Sequence, residues 1–454
     1  MTRFDGGVGI RFIALLLFSF AFLSPAWSQT GDIGSWFVEK LKSSSQQVTA
    51  FANVNVIRLD NHRIIPNQNV VVKGDRIVDI GPAGKVRVPK GALKIEGKGK
   101  YLMPGLVDMH FHLPGPEEKP EIIEAYLFFF VANGVTTVRS TIGQPNHIEI
   151  REKVKSRELF GPTLYLACPP LRDDSIKTPQ QAREFVQRYK TQGYDLIKNY
   201  GLSDSAAYEA AAMAAREAGL TFFGHVSKHM SIHRALALGQ SVEHLQGYYN
   251  EVEADSTRLN ALAEVTKKTG IWNCPTQFWV EYLYERNLDT LLAYEGVRYM
   301  PQKVVDEWVL KKKEDFQKYS ADTAEYPKRL AMCRKIIKAL HDGGAKLVLG
   351  GDSPGKFMVP GFSYVHEMRA FIKAGLKPRD VLVSGTRDAA EYLGSLQEFG
   401  TIEVGKRADL ILLDANPFEN INNILKRSGV MLRGAWFTSQ ELEKGARVYS
   451  GFLK

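Results

Sequence analysis

Apolar and polar positions change their period along the chain, and the changes divide it. From Ala50 to about Ile95 the segments "FANVNVIRL", "NVVVKGDRIVDIG" and "ALKIEGKGKYLMPG" alternate in short runs broken by Gly, Asn and Asp, which predicts strands joined by turns. In "VVKGDRIVDIG" the Gly74-Asp75 pair predicts a two-residue hairpin turn. From Leu106 the pattern becomes apolar runs separated by helix-periodic stretches. "LVDMHFHL", "GVTTVRSTIG", "PTLYLACPP", "DLIKNYG", "TFFGHVS", "SVEHLQG", "IWNCPTQF" and "KLVLGGDS" are eight candidate strands, with helical segments such as "SAAYEAAAMAAREAGL" between most of them. Eight β-α units in a row predict an α/β chain with a (β/α)8 TIM barrel over residues 105–396. Strand character returns in "GTIEVGKRADLILLDANPF", so segments 49–104 and 397–454, before and after the barrel, are expected to build one small β-sandwich.

One connection breaks the rhythm. Residues 281–345, between the seventh and eighth strands, form a charged, aromatic, helical insertion with Tyr282, Tyr284, Tyr294, Trp308 and Tyr319. It is read as a lid or a peripheral helical subdomain. Upstream, residues 29–48 read as a linker or docking helix. Residues 1–28 carry Arg3 and Arg11, an apolar run from Phe12 to Leu23, and the exit Ala26-Trp27-Ser28 before Gln29. That order predicts a secretory signal peptide, hence an exported, periplasmic or secreted protein without a stable membrane anchor.

The 454 residues are 44% hydrophobic, enough for a large core. The net charge of +9, or +8 once Arg3, Asp5 and Arg11 leave with the signal, comes from basic residues interleaved with acidic ones. No nucleic-acid motif accompanies it, so a nucleic-acid partner is not expected. Cys168, Cys274 and Cys333 allow one disulfide at most and read as core thiols. A homo-oligomer is left open.

The chemistry is concentrated at strand ends. His110 and His112 sit two apart in the first barrel strand, so their imidazoles point the same way. Lys198 ends the fourth strand, His225 the fifth, His244 the sixth and Asp352 the eighth. Active sites of such barrels lie at the C-terminal strand ends. Four imidazoles and a carboxylate at one level, with Lys198 beside them, therefore predict a metal site, with zinc as the expected ion. Arg139 after the second strand, Tyr200 past Lys198, and His366 with Glu367 after the eighth strand are candidate substrate or supporting residues. Arg139 could meet a carboxylate and Tyr200 an oxyanion. His229 and His233 read as a surface helix; His62, His147 and His341 read as structural or exposed. The glycines of "GGDSPG" read as room for Asp352. No G-x-S-x-G elbow is present.

"PGLVDMHFHL", the Lys on strand four, the single His on strands five and six, the Asp on strand eight and the closing "GTIEVGKRADLILLDANPF" together resemble the amidohydrolase superfamily over about 50–435. "YDLIKNYG" and "GHVSKHMSIHRALALGQSVEHL" are similar to its subgroup of metal-dependent dipeptidases and imidazolonepropionase-like proteins. The resemblance implies two divalent metal ions. His110, His112 and Asp352 would hold one, His225 and His244 the other, and an N-carboxylated Lys198 would bridge them. The alternative is a single metal beside an unmodified Lys198 paired with Asp352 or with substrate. It further implies a metal-activated hydroxide attacking a carbonyl, with Asp352 moving the proton. The substrate would be a small molecule: a dipeptide, an N-acyl amino acid or a cyclic amide. Esters, lactones and phosphotriesters are the alternatives on the same site, and a non-catalytic exported metal- or solute-binding protein is the alternative outside it. One departure is visible: dipeptidases of that subgroup often carry Tyr after the strand-five His, where this chain has Val226.

Overall fold

The computed structural model describes residues 33–318 and 325–453. The segment read as a signal peptide, and Tyr319 of the insertion, lie outside the described residues. Five strands come first: β1 (Val48–Arg58), β2 (Arg63–Lys73), β3 (Arg76–Pro82), β4 (Leu93–Glu96) and β5 (Tyr101–Pro104). Gly74 and Asp75 turn β2 into β3 with Lys73 opposite Arg76, and Gly74 has φ +57°, a conformation that favours glycine.

Eight parallel strands follow: β6 (Leu106–Phe111), β7 (Val135–Ser140), β8 (Thr163–Leu166), β9 (Leu196–Tyr200), β10 (Thr221–His225), β11 (Ser241–Glu243), β12 (Trp272–Cys274) and β13 (Lys346–Leu347). They pair in sequence order as β6-β7-β8 and β9-β10-β11-β12-β13. Backbone bonds also run between the two groups. Cys168 donates to Leu196 O at 2.9 Å and Leu171 to Lys198 O at 2.9 Å, beside β8 and β9. On the other side Met109 donates to Leu349 O at 2.9 Å, Asp352 to His110 O at 2.8 Å and His112 to Ser353 O at 2.8 Å. Most of the connecting segments are helical, for local reasons. Helix Pro179–Thr191 starts with Thr178 capping Gln181 N and Pro at its first position. The alanine-rich helix Ser205–Glu217 starts with the Asp204 carboxylate accepting from Ala207 N.

β14 (Leu410–Leu413), β15 (Arg427–Leu432) and β16 (Ala435–Thr438) close the strand inventory. The two flanking segments form one hydrogen-bonded sheet in the order β16-β15-β14-β5-β1-β2-β3, with β4 also on β1. That sheet curls: Phe51 of β1 meets Trp436 of β16 with ring centroids 5.3 Å apart, although three strands separate them. A flat sheet would hold them well over 10 Å apart. The apolar face so enclosed carries Val54, Val70, Leu102, Leu410 and Met431.

Helix Ile33–Ser43 buries Ile33, Phe37 and Leu41, one stripe at four-residue spacing. Phe37 meets Phe128 at 4.8 Å, Phe160 at 5.0 Å and Phe437 at 5.4 Å, so this helix joins the helix Pro120–Ala132 to the curled sheet. The long insertion is helical over Gln277–Tyr284, Leu288–Leu292, Gln302–Lys318 and Glu325–Asp342. Phe278, Tyr282, Leu291, Val297 and Val305 give it a small apolar core of its own, shared with Phe357 and Met358. Cys168, Cys274 and Cys333 are all buried free thiols. No helix among the described residues is long and apolar enough to cross a membrane.

Candidate metal centre

Strand pairing brings the chemistry together. Lys198 lies beside Phe223 and Tyr200 beside His225 in the β9–β10 register, and His244 N donates to Cys274 O at the end of β12. The imidazoles form a chain: His112 to His110 at 5.1 Å, His110 to His244 at 4.8 Å, His244 to His225 at 5.0 Å between ring centroids. Asp352 closes it. Its Oδ1 lies 2.9 Å from His112 Nε2 and 3.3 Å from His110 Nε2, and its Oδ2 lies 3.7 Å from His244 Nδ1. The ligand atoms of His110, His112 and Asp352 all fall within 4.8 Å of one another.

The backbone is bent to achieve this. His244, Leu245, Thr276 and Asp352 have φ of +59°, +57°, +45° and +52°, values that non-glycine residues adopt rarely and at a cost. Gly224, just before His225, has φ +132°, and a Cβ there would stand 2.1 Å from Asn199 O. Gly350 and Gly351 make room differently from the expectation. A Cβ on Gly350 would meet Cys274 Sγ at 2.5 Å and His110 Cβ at 2.6 Å, and one on Gly351 would meet Asp108 Oδ2 at 2.9 Å, so they accommodate β6 and β12 rather than Asp352.

Behind the imidazoles lies a buried polar frame that the sequence reading did not single out. Glu243 accepts from His110 Nδ1 at 2.5 Å and from Arg139 Nη2 at 2.8 Å. Arg139 spends its other donors on Met109 O at 2.5 Å and Tyr392 OH at 2.6 Å. Arg139 thus meets a carboxylate, but the chain's own. It is fully buried and unavailable to a substrate, which corrects its assignment as a substrate residue. Thr276 Oγ1 lies 2.6 Å from His244 Nδ1, and Asp108 accepts from the backbone of His110 at 3.0 Å and Gly351 at 2.9 Å. His366 is also displaced from its expected place. Its Nε2 lies 2.6 Å from Glu295 Oε2 and its ring stacks on Phe278 at 4.7 Å, outside the lining of the cavity described below. Its neighbour Glu367 is the structural one, accepting from Gln277 N at 3.0 Å and Phe278 N at 2.6 Å and so fixing the first turn of the insertion.

Burial sets the charges. It pushes His110 down to about 3 and His225 to about 2, so both rings are neutral at pH 7, the ligating form. It lowers Lys198 to about 8. Glu243 resists the same burial because Arg139 and His110 hold it ionised, and Asp352 because His110 and His112 do. Within this cluster two buried nitrogens, Lys198 Nζ and His110 Nε2, have no hydrogen-bond partner. Orphaned buried polar atoms are rare in a native interior and call for a group that satisfies them. The imidazoles of His110 and His112 with the Asp352 carboxylate suit a divalent cation, whereas a second grouping, His110, Glu243 and Cys274, does not. There His110 Nδ1 is already taken by Glu243, and burial pushes the Cys274 thiol well up, away from its ligating thiolate.

The cluster opens on a cavity of about 450 Å³. His112, His225, His244 and Asp352 line its floor; Tyr200, Tyr249, Trp279, Tyr282, Arg329 and Met358 are among its walls, several of them from the insertion.

The amidohydrolase family model matches residues 101–437. The chain belongs to the amidohydrolase family. With that membership it is a hydrolase acting on C–N bonds, in a family that generally uses divalent metal ions. An imidazolonepropionase of Rubrobacter xylanophilus is 24% identical over 392 residues, 76% of this chain and 84% of that one. A bottromycin amidohydrolase superposes with a TM-score of 0.74 at 22% identity, covering 92% of this amidohydrolase and 93% of that chain. A Xaa-Pro dipeptidase crystallised with methionine in its active site gives 0.68 at 18% identity, over 86% and 100%. Both structural likenesses are likenesses of fold.

Proposed function

We propose that the chain is a metal-dependent amidohydrolase that cleaves a C–N bond in a small peptide, an N-acyl amino acid or a cyclic amide. The observation that carries this is the convergence of four imidazoles, Lys198 and Asp352 beneath one cavity, with Lys198 Nζ and His110 Nε2 lacking partners. The scaffold is a closed (β/α)8 TIM barrel, a reading supported by the backbone bonds on both sides of the two parallel groups. The curled flanking sheet serves as the β-sandwich of residues 49–104 and 397–454.

His110, His112 and Asp352 would hold one cation, His225 and His244 a second, with zinc as the expected metal. Lys198 would bridge them after carboxylation by CO₂. An ammonium has no lone pair to offer a cation, while a carbamate supplies two oxygens and satisfies the orphaned Nζ. A divalent cation held there supplies Lewis acidity, acidifying water and polarising a carbonyl. The chain's own residues do the rest. Asp352, held ionised beside His110 and His112, accepts the proton of the attacking water at Oδ and returns it to the departing nitrogen. Glu243 fixes His110 with Nδ1 protonated, which turns Nε2 toward Asp352. Trp279, Tyr249 and Tyr282 wall the cavity and limit water. We also propose export, resting on the order of residues 1–28.

A panel of dipeptides, N-acyl amino acids and cyclic amides, run beside p-nitrophenyl esters, lactones and phosphotriesters, tests the reading. Amide turnover that chelation abolishes and zinc restores is expected. Turnover of the oxygen esters alone would overturn the amide assignment, and no turnover without any tightly held metal would favour a solute-binding protein.

A further inference from the structure

We propose that Arg329, on the insertion helix Glu325–Asp342, recognises a carboxylate on the substrate and so confines this enzyme to anionic amides. The proposal rests on the amidohydrolase reading of the same cavity and names its substrate class. Among the described residues lining that cavity Asp352 is the one carboxylate and Arg329 the one side chain with a permanent positive charge. Asp352 is engaged by His110 and His112. Arg329 has no such engagement: its guanidinium lies 4.6 Å from the Tyr249 ring centroid, and it makes no ion pair or hydrogen bond among the described residues. Three other cations of its helix are paired. Lys328 bonds Glu325 at 2.8 Å, Arg334 bonds Glu281 at 2.6 Å, and Lys338 pairs with Asp342.

The Tyr249 ring packs against the guanidinium and leaves its N–H donors without an acceptor among the described residues. The Tyr249 hydroxyl is itself anchored on Glu253 Oε1 at 2.8 Å, so the platform is fixed. A guanidinium edge matches a carboxylate with two parallel hydrogen bonds, a geometry lysine does not reproduce. Trp279 lines the same cavity, 5.9 Å from the His244 ring, and offers apolar surface beside the imidazole cluster. A substrate with its amide over His244 and Asp352 and its carboxylate at Arg329 satisfies every charged group in the cavity.

The test compares N-acetyl amino acids with their C-terminal methylamides on the metal-loaded full chain, for wild type, Arg329→Met and Arg329→Lys. For wild type, kcat/KM should favour the free acids. In Arg329→Met the free acids should lose about 10–100-fold, chiefly in KM, with the methylamides changed less than about threefold. Arg329→Lys should fall between. An equal loss on acids and methylamides in Arg329→Met, or a wild type indifferent to the carboxylate, would overturn the proposal while leaving the amidohydrolase reading in place. A wild type that hydrolyses neither series would instead count against that reading. Metal content and thermal unfolding of each variant show whether a loss reflects folding.

Discussion

Glu243 is the hinge between fold and site, and Glu243→Gln should damage both. The side chain is 1% exposed and bonds His110 at 2.5 Å and Arg139 at 2.8 Å. Glutamine keeps the volume and removes the charge. Arg139 is fully buried and cannot shed its proton, so its charge is left with two neutral acceptors and the ring faces of Phe223 and Tyr392, at 4.4 and 4.9 Å. Removing one partner of a buried ion pair costs about 3–5 kcal/mol, and the hydrogen bonds Arg139 retains place this case near about 3 kcal/mol. The amide must also turn its NH2 toward either His110 or Arg139, which weakens the lock on the His110 tautomer. Loss of such a partner typically costs about 10–100-fold in metal affinity. Denaturant unfolding of the metal-free proteins measures the first effect, and calorimetric titration with zinc the second. The double variant Arg139→Met/Glu243→Met removes both charges at similar volume and should unfold less readily than Glu243→Gln. A Glu243→Gln protein within about 1 kcal/mol of wild type with unchanged zinc affinity would refute the reasoning, since a buried charge cannot lose its partner at no cost.

Two further outcomes are expected. Gly224→Ala places a Cβ 2.1 Å from Asn199 O at φ +132° and should destabilise by more than about 2 kcal/mol while displacing His225; wild-type stability with full metal content would contradict the packing described. Burial raises Glu367 to about 8 from an ordinary 4.5, so the folded form keeps a proton that the unfolded chain releases. Stability then falls as pH rises between those values, by about 1.4 kcal/mol for each unit, whereas Glu367→Gln should flatten that slope; parallel pH profiles of the two proteins would exclude it.

The eight parallel strands were legible because each is an apolar run closed by glycine or a polar residue, and the ligand-type residues because each ends such a run. His110, His112, Lys198, His225, His244 and Asp352 stand out by that position alone. Glu243 did not, because it sits one residue before His244 and was hidden by it. Its signal was a charge inside the wholly buried strand "SVE", matched by Arg139 inside "VTTVRS". Two opposite charges within apolar strands call for each other, but 104 residues separate them and no local rule pairs them. Arg139 was therefore assigned outward, to a substrate, when its partner was internal. His366 and Glu367 show the complementary limit: both are met by the helix Gln277–Tyr284, the first by the Phe278 ring and the second by the backbone of Gln277 and Phe278, and helical period alone does not tell which neighbour an insertion will supply. Arg329 was unreadable for the same reason, since helical character in 281–345 says nothing of which side faces the cavity. The curling of the flanking strands into one sheet depends on Phe51 meeting Trp436, a contact between opposite ends of the chain.

The most direct measurement is the metal content of the purified protein, by inductively coupled plasma mass spectrometry after dialysis, for wild type and Lys198→Ala. Close to two divalent ions per chain in the wild type, falling to one or fewer in the variant, is the expected result. Less than one ion per wild-type chain, or equal content in the two proteins, would mean that these side chains do not gather around a shared pair of cations.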